Sequence, residues 1–177
     1  MDLYATPPSP QQASANKKKP VVGFMSAALI TLGTSFLTWE TAKADLSYEA
    51  YIDSDKRIKC LYGYAADKTG DHAAAIKIFE DCINRWEDVY SMIWLAQIYE
   101  AGVAVPQDLA YSTALMKRGA HANDAAGYSS IARYHYGVAL YEGIGTDQDK
   151  QEGLYWLKQA ADEGVAEAAG YLQQQGH

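Results

Sequence analysis

The chain has 177 residues, 49% of them apolar, and a formal charge of −7. Four lysines against two acids put residues 1–44 at +2 and leave the remainder at −9, so the body repels a phosphate backbone; neither a nucleic acid partner nor a basic membrane-surface role is expected. The length allows one modest domain behind a leader.

The leader comes first. Residues 1–16 are polar and carry Pro7, Pro8 and Pro10, which reads as coil. Lys17, Lys18 and Lys19 precede residues 21–39, a run of nineteen without a charge, and Ala42 and Ala44 then sit at the −3 and −1 positions before Asp45. Basic, apolar, then A-x-A is the layout of a signal peptide cut after Ala44. The run also approaches the roughly 20 residues that span a bilayer, so an uncleaved inner-membrane anchor stands as the alternative. Either reading exports the body, making it periplasmic or secreted, with membrane contact only through this segment.

Residues 45–55 are acidic and aromatic and suit an N-terminal cap on the first helix pair. That pair is predicted over residues 56–66 and 71–83, with Gly70 at the turn and Asp71 as N-cap. Met92, Leu95, Ala96 and Tyr99 recur at helical spacing within residues 91–101. Asp108 caps a helix to about His121, and Asn123 is expected to end it in the left-handed conformation. Residues 129–142, 149–163 and a short 166–174 complete the set.

Gly102 and Gly143, Asp108 and Asp149, Leu115 and Trp156, Ala120 and Ala161, and Asn123 and Gly164 are all separated by 41 residues, which marks an internal repeat. The second copy shows Gly137, Gly143, Gly145, Asp149, Trp156, Ala160, Ala161, Gly164 and Ala168. The first shows Leu95, Ala96, Tyr99, Gly102, Val105, Asp108, Ala120 and Ala126. This pattern resembles the Sel-like repeat, a relative of the tetratricopeptide repeat, over roughly residues 56–172. Departures are Ala104 for the second loop glycine, Leu115 for the tryptophan, Gly119 for an alanine, and a longer run between His121 and Tyr136. The first hairpin, with Gly63, Ala75, Phe79 and Cys82, looks like a tetratricopeptide repeat.

The resemblance implies an all-α, right-handed α-solenoid of about three hairpins, at residues 56–86, 90–125 and 128–165, closed by a capping helix at 166–175. Small residues belong where helices cross: Gly63, Ala96 and Gly137 on first helices, Ala120, Ala160 and Ala161 on second ones. Phe79, Trp94, Leu115, Trp156 and Leu157 fill between them. First helices line a groove in such stacks. Carried over by position, the groove holds Arg57, Tyr64 and Asp67, then Tyr90, Gln97 and Glu100, then Tyr134, Val138, Tyr141 and Glu142. Tyrosines among carboxylates suit a basic or extended peptide, or they pack between repeats. The resemblance implies a non-enzymatic scaffold for a protein or peptide partner; the alternative is a secreted relative that binds cell-wall fragments or β-lactams, with or without hydrolysis.

Cys60 and Cys82 fall about equally far from the turn of the first hairpin, within disulfide reach if both face inward. An exported compartment would oxidise them; the alternative is two small buried thiols. The family register leaves Cys60 nearer the groove. No H-E-x-x-H occurs, His72, His121, His135 and His177 have no metal-ligand spacing, and Gly143-Ile144-Gly145 follows no strand. No cofactor, metal or catalytic group is expected.

Overall fold

A computed structural model describes residues 47–177. The leader, its two alternatives and the cleavage position at Ala44 lie outside the described residues. Eight helices and no strand occur among those described: α1 (Glu49–Ile52), α2 (Lys59–Lys68), α3 (His72–Trp86), α4 (Val89–Ala101), α5 (Leu109–His121), α6 (Tyr128–Glu142), α7 (Lys150–Asp162) and α8 (Ala166–Gln174). The expected α-solenoid is present, as three antiparallel hairpins, α2–α3, α4–α5 and α6–α7, with α8 on the last.

Local sequence sets most of the helix starts. Asp71, Asp88, Asp108 and Asp149 each accept a hydrogen bond from the backbone N–H three residues on, at Ala74, Ser91, Tyr111 and Glu152. Each such cap contributes about 1 kcal/mol. Asp88 starts α4 two residues before the expected point. Gly102 and Gly143 end α4 and α6 at φ +64° and +76°, a region that costs a β-carbon. Asn123 does not take this conformation. The longer connection after α5 turns instead at Asp124, whose carboxylate accepts from Ala126 N–H and Tyr128 N–H, and Gly127 (φ +83°) enters α6.

Helix α4 is buried almost all round, through Val89, Met92, Ile93, Leu95, Ala96 and Ile98, because it packs against α2, α3, α5 and α6. Helices α2, α4 and α6 lie side by side, whereas α3, α5 and α7 touch one another weakly at most. The stack therefore curves, with first helices on its concave side. Close approach rests on missing side-chain volume. A β-carbon on Gly63 would lie 2.6 Å from the Phe79 ring, one on Gly119 2.9 Å from Ala132 Cβ, and one on Gly137 3.0 Å from the Leu157 nitrogen. Gly153 faces Gly137, its β-carbon position 2.9 Å from the Gly137 carbonyl oxygen. Ala96, Ala120 and Ala160 are fully buried. Ala161 is only half-buried, beside Tyr141 and Leu172, because Ala160 takes the crossing position.

Cys60 and Cys82 form a disulfide between α2 and α3. Both are buried, against Ile78, Tyr48, Ile52 and Trp86, and Cys60 also borders the cleft formed by Arg57, Leu61, Tyr90 and Tyr128. Beside them Lys59 is completely buried. Its ammonium donates to the Ile52 carbonyl at 2.6 Å, pairs with Asp81 at 2.5 Å and lies over the Trp86 ring. With Tyr48 N–H on Asp71, this ties residues 48–52 to the first hairpin.

Gly137→Val should lower the unfolding free energy by about 1–3 kcal/mol in urea titrations, since rigid backbone faces the new atoms, whereas Gly170→Ala, with open space around it in α8, should raise it by about 0.5–1 kcal/mol. Reducing the disulfide, which closes a separation of 22 residues, should cost about 3 kcal/mol in the same titration.

Candidate peptide-binding face

The concave side is built from the outward positions of three first helices. Tyr64 of α2, Trp94 and Tyr90 of α4 and Tyr128 of α6 form a continuous run of rings, with centroids 4.6, 6.1 and 5.2 Å apart in that order. Tyr90 and Trp94 share a helix face because they are four residues apart. Ile58 (53% exposed) and Leu61 (51%) flank the run on the α2 side, and Ile131 flanks it on α6. Trp94, expected as filling between repeats, packs on the core and on Tyr64 of the neighbouring hairpin and keeps a partly exposed side on this face, with the Lys68 ammonium 4.9 Å from its ring centre and 5.4 Å from that of Tyr64. Burial raises the Tyr90 phenol to about 12, so it stays a donor at neutral pH.

The expected groove residues divide into five places. Arg57 and Tyr90 meet at one end with Tyr128, where Arg57 donates to Asp88 at 3.0 Å. Tyr64 stands in the ring run. Asp67 and Gln97 share a cleft with Lys68, His72 and Trp94. Glu100, Tyr134 and Val138 line a small cleft between α4, α5 and α6. Tyr141 and Glu142 are not in an open groove. Tyr141 is 8% exposed and packs edge-on against Tyr171 of α8, and Glu142 accepts from the Tyr171 hydroxyl. The reason is that α8 sits against α7 as a following first helix would and takes up their surface. Nor does the face carry uncommitted carboxylates in number: Asp67 holds Lys68 and His72, and Asp88 caps α4 and holds Arg57. The composition is aromatic and aliphatic with paired charge.

Several of these features lack a sequence signal. Tyr128 and Trp94 could have been placed only by knowing the packing of α4 on α6. One signal was available: Gln107 and Gln148, matched by the 41-residue offset, each donate a side-chain N–H to the carbonyl of Glu100 and Tyr141, at 2.8 and 2.9 Å. With Asp108 N–H on Tyr99 and Asp149 N–H on Leu140, the two loops are anchored to their preceding helices in the same way. Among the described residues no group of three or more His, Cys, Asp or Glu is placed to hold a metal.

The family model of the Sel1 repeat matches residues 89–124 and 130–165. The chain thus carries two Sel1 repeats. Hairpin α2–α3 lies ahead of the two matched Sel1 repeats. No curated protein matches the chain. Among solved structures it is similar to the crystal structure of a Sel1 repeat protein from Oxalobacter formigenes, at 21% identity and a TM-score of 0.44, covering 66% of this chain and 98% of that one. Sel1 repeats are typically protein–protein interaction modules, and the family is generally non-enzymatic. The disulfide points to an extracellular or periplasmic environment, and no described helix is long and apolar enough to cross a membrane.

Within the second Sel1 repeat His135 sits in the cleft beside Glu100, and burial pushes its pKa below the ordinary value, against the pull of Glu100 and Glu167. The folded protein therefore favours neutral His135. This contribution is complete above the unfolded value near 6.5 and is lost as pH falls below it. Glu87 and Glu163 are held low, Glu87 first by the hydrogen bond from Arg118, Glu163 by Ser130 and Arg133 against the opposing effect of burial, and act only in more acid solution. Urea midpoints should fall between pH 7.5 and 5, and His135→Gln should flatten that fall.

Proposed function

We propose that the protein is an exported, non-enzymatic scaffold whose concave face holds a protein or extended peptide partner. The run Tyr64–Trp94–Tyr90–Tyr128 carries this reading. Large rings supply contact area at low entropic cost, and tyrosine and tryptophan dominate interface energetics. Here they cross all three first helices, so one ligand would engage every hairpin. Export is supported by the leader pattern and by a disulfide that persists only where thiols are oxidised. The paired charges around the rings favour a partner that brings apolar side chains over one that is merely basic.

The test is affinity capture from envelope and culture-supernatant fractions on the immobilised chain. Tyr90→Ala with Trp94→Ala should lose the partner by at least about 2 kcal/mol, roughly thirtyfold, while Tyr155→Ala, 55% exposed on α7, should keep it. Retention of the same partners by the double variant removes the concave face from consideration.

A further inference from the structure

The two junctions between successive hairpins are made of matching parts, yet one is shut and the other open. At the second junction the loop after α6 folds down onto the start of α5. The Thr113 hydroxyl donates to the Ile144 carbonyl at 2.8 Å. Gly145 (φ +62°) comes so close that a β-carbon on it would lie 2.1 Å from the Leu109 carbonyl oxygen. Ile144 then closes a cleft that keeps only about 70 Å³.

At the first junction three parts differ. Ala104 occupies the place of Gly145, two residues past the left-handed glycine in each loop, and it does not share the positive φ. A β-carbon there forbids the same approach. Ile76 occupies the place of Thr113, five residues after its N-cap aspartate, and has no hydroxyl to offer the loop. His72 starts α3 where Leu109 starts α5. The loop accordingly stands away: Val103, the match to Ile144, is 82% exposed against 37%. A cleft of about 270 Å³ remains, walled by Trp94, Ile98 and Ala101, with Lys68, His72 and Gln97 at its polar side.

We propose that this cleft is a binding site for an extended peptide that places a branched aliphatic side chain on Trp94 and a carboxylate on Lys68. The shut junction supplies the first half: what fills it is an isoleucine, with its carbonyl held by a hydroxyl. Charge supplies the second. Both Asp67 oxygens are occupied, one by Lys68 at 3.1 Å and one by His72 Nδ1 at 2.9 Å. The remaining ammonium protons of Lys68 are left to meet an acidic group. The proposal does not rest on the concave-face reading. It shares Trp94 with that face, so the discriminating changes are made elsewhere.

The probe is the acetylated, amidated peptide Glu-Gly-Ile-Gly-Thr-Asp-Gln-Asp, which copies the loop that shuts the second junction. It is titrated into the full, oxidised chain while the Trp94 indole N–H is followed by NMR. A saturable shift is expected. Replacing the peptide's isoleucine by serine should weaken binding at least tenfold, as should Ile76→Thr with Ala104→Gly, which restores the shutting parts. Lys68→Glu should weaken it similarly, and Tyr128→Ala, which joins the ring run at Tyr90 and not at Trp94, should leave it within about twofold. No saturable shift, equal binding of the serine peptide, or unchanged binding to both the Ile76/Ala104 and the Lys68 variants overturns the proposal. Loss with Tyr128→Ala overturns it too, by placing the peptide on the concave face.

Discussion

The stack depends on two glycines that face each other. Gly137 of α6 and Gly153 of α7 leave the two backbones with no side chain between them, each β-carbon position about 3 Å from main-chain atoms of the other helix. Helices held this close cannot slide without collision, so the hairpin has one setting. Gly63 against the Phe79 ring, and Gly119 against Ala132, fix the first hairpin and the joint between the second and third in the same way. The large residues, Phe79, Leu115, Trp156 and Leu157, then fill a space whose dimensions the small ones have decided.

Curvature is the next consequence. With first helices packed side by side and second helices splayed, α4 loses nearly all its surface and the concave side draws on α2, α4 and α6 together. No hairpin alone owns four adjoining rings; Tyr64, Trp94, Tyr90 and Tyr128 become one surface only because the hairpins pack together. The same neighbour dependence sets the ends. Residues 48–52 are held on one side by Lys59 and Asp71, and α8 takes Tyr141 and Glu142 on the other.

Much of this was legible in the residues. A constant 41-residue offset identified two hairpins because each half must bury the same stripe, and the aspartates before apolar runs marked helix starts because a cap is a local interaction. Interactions that depend on which helix lies opposite were not legible. Trp94 has the same apolar character whether it faces a neighbour or the groove. Tyr141 fitted the groove by position, yet α8 covers it. Asn123 suited a left-handed stop by residue type, but the longer connection found its turn at Asp124 and Gly127. Lys59 gave no sign of being buried, since its partners, the Ile52 carbonyl and Asp81, come from two different segments.

The way the chain enters the domain has a mechanical side. The segment before α2 is not simply continuous with it: Tyr48 is hydrogen-bonded to the N-cap of α3, and Lys59 fastens the Ile52 carbonyl to Asp81 farther along the same helix. The disulfide joins α2 to α3 one residue later. A force applied upstream of Tyr48 would thus be shared across α3 as shear, the loading direction in which many bonds must yield at once, and the hairpin would resist tugging better than an unfastened helix peeled from its end.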